Sequence, residues 1–185
     1  MDELIDILNK DGSSTGRVAP KSEVHTKGHY HNTVHIWFYT NDGEILLQQR
    51  SLNKSICPGL WDVSAAGHVD AGETIKEAAL REVKEELGLD INLEELVPIG
   101  VFECFQTYSS GIQDNEFHNT FLCELKHSLS TVSINTEEVA GVKLVSVKDF
   151  KALLDNSKEN NHFVETNKSY YLHVLEQVKN HLGNE

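Results

Sequence analysis

Residues Gly67–Leu89 read GHVDAGETIKEAALREVKEELGL, and the fold around them follows from this stretch. Its apolar spacing predicts a helix from about Thr74 to Leu87, closed by Gly88 as a C-cap. At 100° per residue, Ile75, Ala79 and Val83 form the packing stripe. Glu82 and Glu86 fall inside that stripe, about 20° either side of Ile75, with Glu85 beside Ala78. Glu77 and Lys84 point the other way. Turning two or three carboxylates toward a packing face carries a desolvation penalty. Like charges four residues apart add about 0.2–0.5 kcal/mol of repulsion. The pattern therefore calls for a cation, and oxygen ligands favour a hard divalent ion, Mg²⁺ or Mn²⁺.

Working outward, 185 residues suffice for one domain with a sizeable core. The net charge of −13 argues against nucleic acid as a partner. That charge is uneven: residues 1–60 hold six Lys/Arg against seven Asp/Glu, and residues 61–185 hold ten against twenty-two. An anionic substrate needs help from the N-terminal third or from metal. No apolar run is long enough to span a membrane. The first residues, MDELIDILNKDG, lack the layout of a signal peptide. Cys57, Cys104 and Cys123 share no metal-ligand spacing, which suits a reduced, cytoplasmic protein.

Residues 3–8 and 16–24 flank Asp11-Gly12 and predict an N-terminal β-hairpin. Val34–Tyr39 and Glu44–Gln49 flank Asn41-Asp42-Gly43, a second hairpin. A loop over 51–60 leads to a short strand at 61–65. Further strands are expected at 96–106, 115–124 and 139–145, and helices at 147–156 and 169–182. This order predicts a sandwich rather than an alternating βαβ fold. Its parts are a hairpin and lead-in over 1–30, a main body over 31–168 and a C-terminal helix over 169–185.

Gly67, Glu73, Arg81-Glu82-Val83, Glu85-Glu86 and Gly88-Leu89 fill all nine fixed positions of the Nudix box, G-x5-E-x7-R-E-U-x-E-E-x-G-U. The chain thus resembles the Nudix family. The resemblance implies an α/β/α sandwich with a mixed sheet, and Mg²⁺- or Mn²⁺-dependent cleavage of a diphosphate linkage. It implies that Glu82 and Glu86 hold the metal, that Glu85 assists as a further ligand or as base, and that Arg81 orients the carboxylates by ion pairing. When bound, such an ion neutralises phosphoryl charge and lowers the pKa of water.

The stretches HTKGHYHNTVH, LLQQRSLNKS, PGLWDVSAAGH and DNEFHN resemble, more specifically, type-1 isopentenyl-diphosphate isomerases and their hydrolase relatives. That resemblance implies a second metal cage of His25, His31, His68, Asp114 and Glu116. It also implies a diphosphate grip by Lys21, Arg50 and Lys54. Where the isomerases carry an essential cysteine before Gly-His, this chain has Ala66. Alkene isomerisation needs proton partners on both faces. Loss of the thiol beside a complete acidic box favours hydrolysis of a small-molecule diphosphate. Isomerisation and a non-catalytic diphosphate-binding module are the alternatives.

Glu116 has a second possible role as a further box-metal ligand or base, because alternation puts it on one strand face with Asp114. Glu137 and Glu138 are weaker alternatives. Trp37, Trp61, Phe105 and Tyr108 are candidate pocket aromatics, of which one or two are expected to serve. The protein is expected to act as a monomer or homodimer.

Overall fold

The computed structural model describes residues 2–183, so the first residue of the N-terminal unit and the last two of the C-terminal unit lie outside the described residues. Among the described residues one mixed sheet of nine strands forms the centre. In chain order the strands are β1 (Leu4–Leu8), β2 (Ser14–Pro20), β3 (Tyr30–Tyr39), β4 (Glu44–Arg50) and β5 (Trp61–Asp62). Then come β6 (Ala65–His68), β7 (Val97–Thr107), β8 (Gln113–Glu124) and β9 (Val139–Ser146). The helices are α1 (Lys21–Lys27), α2 (Ile75–Leu87), α3 (Val147–Asp155), α4 (Ser157–Asn160) and α5 (Lys168–Leu182).

β3 organises the sheet. It runs parallel to β8 over its whole length, from Tyr30↔Asn115 to Tyr39↔Glu124, and antiparallel to β6. Its side chains alternate between two cores. Val34, Ile36 and Phe38 pack with Ala78, Ala79, Val83 and Leu87 of α2. Trp37 faces the other way, with Phe150 of α3 and Tyr170, Tyr171 and Val174 of α5. The result is the expected helix–sheet–helix sandwich with its N-terminal hairpin. No helix among the described residues is long and apolar enough to cross a membrane.

Three local expectations are corrected. The second hairpin strand stops at Pro20, and Lys21–Lys27 are helical. Proline pre-sets φ and lacks an N–H that an entering helix leaves unbonded, so it opens a helix readily. The strand expected at 61–65 is two strands, Trp61–Asp62 on β4 and Ala65–His68 on β3. Thr74 is the N-cap rather than a helical residue. Its hydroxyl accepts the Glu77 N–H, and the Glu77 carboxylate accepts the Thr74 N–H.

Candidate active site

α2 presents its carboxylates in three different environments. Glu86 is 5% exposed, and one of its oxygens accepts the Ala66 N–H at 3.0 Å and the Gln48 amide at 2.9 Å. Burial, assisted by the Glu82 charge, pushes its carboxyl up to about 7, although those donors pull it down. Glu82 is half-buried, and burial raises its carboxyl too, against the pull of Arg81. Glu85 is largely exposed, in keeping with its place at the edge of the stripe.

Arg81 ties the loop to the helix. Its Nε and Nη2 donate to both oxygens of Glu73 at 3.0 and 2.9 Å, and Nη2 also donates to the His68 carbonyl at 2.8 Å. Nη1 reaches Glu82 at 2.7 Å and Glu85 at 3.2 Å. Fork geometry is needed here, which lysine lacks. Gly67 lies beneath Glu82. A Cβ at this position would sit 2.0 Å from the Glu82 carboxyl carbon, so only glycine leaves the carboxylate its place.

A second cluster forms where α1, β3, β6 and β8 meet. Ligand atoms of His25, His31, His68 and Glu116 all lie within 4.8 Å of one another. The parallel register His31↔Glu116 and the α1 turn that carries His25 create this convergence. Outer partners aim the rings. His25 Nδ1 bonds Asp114 at 2.9 Å, and His31 Nδ1 donates to the His29 carbonyl at 2.9 Å. Each leaves Nε2 facing inward. His31 is fully buried and its Nε2 has no hydrogen-bond partner, while His25 Nε2 lies 3.0 Å from His68 Nε2. A buried unpartnered imidazole nitrogen beside two others and a carboxylate fits a divalent ion. Asp114, expected in the cage, is not part of this convergence. Its short side chain is engaged at His25 Nδ1, so it supports the cage from outside. His118 does the same for Glu116, at 2.8 Å.

Both clusters line one cavity of about 680 Å³. Lys21, Arg50 and Lys54 line it as well, but each has a partner. Lys21 pairs with Glu3 at 2.8 Å, Lys54 pairs with Glu138, and Arg50 donates twice to the Ile56 carbonyl. An incoming anion must compete for them. Of the four aromatic candidates only Tyr108 lines the cavity; Trp37 is fully buried core, and Phe105 packs on Tyr30 and Phe117. Glu138 reaches the cavity, as does Cys104, which faces Glu116 across the β7–β8 ladder.

Sequence reasoning missed Gln48, His118 and Asp62. Gln48 had a legible signal, since it alternates with Leu46 on the β4 face turned to α2, where a polar residue needs a buried partner.

A helix–sheet–helix sandwich whose loop–helix unit gathers acids around one arginine defines the class: a fold built around a loop–helix acid box. The family model described as NUDIX domain matches residues 29–166, well over half of the chain, and the chain belongs to the Nudix family. It is 39% identical over 88% of its length to Nudix hydrolase 3 of Arabidopsis thaliana, although it spans only 21% of that protein. It is 30% identical to isopentenyl-diphosphate Delta-isomerase 2 of Photorhabdus laumondii, with 86% of each chain covered. In fold it resembles a crystal structure from Deinococcus radiodurans, with a TM-score of 0.68 at 20% identity over 96% of this chain and 98% of the other.

Proposed function

We propose that the protein is a Mg²⁺- or Mn²⁺-dependent hydrolase that cleaves the diphosphate linkage of a small molecule. The observation that carries this reading is the burial of Glu82 and Glu86 side by side, with Arg81 the only cation bonded to Glu82 and none bonded to Glu86 among the described residues. Two such carboxylates are deficient in positive charge, and a divalent ion supplies it. Glu82, Glu85 and Glu86 would hold that ion, with Glu116 across the cavity as a further ligand or base. When bound, it neutralises phosphoryl charge and supplies a nucleophilic water near neutral pH. Arg81 keeps Glu82 and Glu85 oriented. Lys21, Arg50 and Lys54 exchange their present partners for phosphate oxygens.

One observation favours the isomerase alternative: the His25, His31, His68 and Glu116 cluster is fully formed. Against it, Ala66 offers a methyl where a thiol is required. Cys104 does not replace that thiol, because it neighbours Glu116 on the adjacent strand and so lies on the same side.

A panel of nucleoside, sugar, thiamine and isoprenoid diphosphates separates the readings. Phosphate or pyrophosphate release that requires Mg²⁺ and stops with EDTA is expected. Deuterium uptake from D₂O into isopentenyl diphosphate without phosphate release would establish isomerisation instead.

Gly67→Ala checks the acid box directly. The added methyl displaces only the flexible end of Glu82. Turnover is therefore expected to fall about 10- to 100-fold, since small misplacements of catalytic groups have effects of that order. The unfolding midpoint should barely move. Wild-type turnover in Gly67→Ala would remove the Gly67–Glu82 packing from the mechanism.

A further inference from the structure

Asp62 lines the cavity together with Tyr171 of α5 and a set of other polar side chains. Asp62 ends β5, whose Trp61 pairs with Gln49 next to Arg50, so the strand edge that carries the phosphate grip also fixes Asp62. Among the described residues its hydrogen-bond donors are the Val63 N–H at 2.8 Å and the Tyr171 hydroxyl of α5 at 2.9 Å. Both go to Oδ1, leaving Oδ2 without a partner. The side chain lines the cavity, and burial raises its carboxyl above the usual range. Thr33 Oγ1, 3% exposed and lining the same cavity, also has no partner. Gln106 and Asn167 extend the polar wall, with the Gln106 amide donating to Thr166 at 2.8 Å.

An acceptor-only carboxylate cannot take a phosphate oxygen; it takes donors. A hydrocarbon tail against this wall would cover Asp62 and leave it unpaired, the situation in which sites reject analogues most strongly. We propose that Asp62 recognises hydrogen-bond donors on the organic part of the substrate, so that hydroxyl- or amino-bearing diphosphates are selected over hydrocarbon ones. This rests on the diphosphate-hydrolase reading of the cavity and assigns Asp62 as a specificity residue within it.

The test uses ADP, which bears ribose hydroxyls and an amino group, and isopentenyl diphosphate, which bears no donor beyond its phosphates. kcat/KM is measured with Mg²⁺, and Kd by calorimetry with Ca²⁺ in its place. Wild-type protein is expected to favour ADP by about 100-fold. Asp62→Leu and Asp62→Asn should each lower kcat/KM for ADP about 10- to 100-fold, and Asp62→Leu, which removes the carboxylate that a hydrocarbon tail would leave unpaired, should raise the isopentenyl value about 10-fold. Asp62→Asn keeps an acceptor for Tyr171, so it tests recognition with the packing preserved. A preference unchanged in Asp62→Asn overturns the proposal, as does a wild type that favours isopentenyl diphosphate or binds neither probe. If ADP binds with the expected Asp62 dependence but no member of the diphosphate panel is cleaved, recognition stands and the hydrolase reading falls.

Discussion

Replacing Glu82 with Gln is expected to lower Mg²⁺-dependent turnover by about 10³-fold, equivalent to about 4 kcal/mol of transition-state stabilisation. The change keeps shape and removes charge. Glu82 Oε1 accepts from Arg81 at 2.7 Å, and an amide oxygen can do the same, so the arginine bridge to Glu73 and the His68 carbonyl persists. Burial already raises the Glu82 carboxyl, so removing the charge imposes no stability penalty of its own. The unfolding free energy should stay within about 1 kcal/mol. What is lost is half of the buried negative charge that attracts the ion. Steady-state kinetics over a Mg²⁺ titration measure this. Turnover within tenfold of wild type at saturating Mg²⁺ would place the catalytic ion elsewhere, with the histidine cluster as the remaining candidate. Glu85→Gln is the useful companion, because Glu85 is solvent-exposed and, among the described residues, held only by Arg81 at 3.2 Å. A smaller loss there would assign it an assisting rather than a primary role.

The acidic helix was legible because its determinants are local. Thr74 and Glu77 make a capping box three residues apart, Gly88 takes the left-handed C-cap at φ 68°, and a 3.6-residue period fixes which carboxylates turn inward. The hairpin at Asn41-Asp42-Gly43 was legible for the same reason. The histidine cluster depends on pairings of long range. His31 meets Glu116 only because β3 and β8 run parallel in one particular register, 85 residues apart, and His25 arrives on the helix Lys21–Lys27, whose first residues the sequence assigned to a strand ending at residue 24. Resemblance supplied the residue set, but not its layering. Alternation placed Asp114 and Glu116 on one face of β8, yet it does not encode reach. Asp114 ends at His25 Nδ1, whereas Glu116, one methylene longer, reaches the cluster. Asp62 was invisible because its significance arises from α5, 109 residues later, whose Tyr171 engages only one of its oxygens. The basic residues were found in sequence, but their present partners Glu3, Glu138 and the Ile56 carbonyl are products of tertiary packing.

Glu86→Gln should make the metal-free protein more stable at alkaline pH and no more stable in acid. The folded carboxyl titrates at about 7 against an ordinary value of 4.5. Below 4.5 the side chain is neutral whether the chain is folded or unfolded, so the stability it contributes is fully present. As pH rises toward 7 the unfolded chain gives up its proton first, and that stability declines. Above 7 both states are ionised, and the fold carries the whole penalty of a buried charge, on the order of 3 kcal/mol. Gln cannot ionise. Its side-chain oxygen can accept from the Ala66 N–H and the Gln48 amide, as the carboxylate oxygen does. Urea unfolding in EDTA should therefore give equal free energies near pH 4.5 and a variant more stable by about 3 kcal/mol near pH 8. Mg²⁺ should reverse the order at pH 8. An ion that binds only the folded state stabilises by RT ln(1 + [Mg²⁺]/Kd), and the variant has lost the charge that lowers Kd. Equal stability of the two proteins at pH 8 in EDTA would mean that Glu86 is not held at a penalty in the absence of metal. Without that penalty, the excess of buried negative charge on α2 would no longer call for a cation.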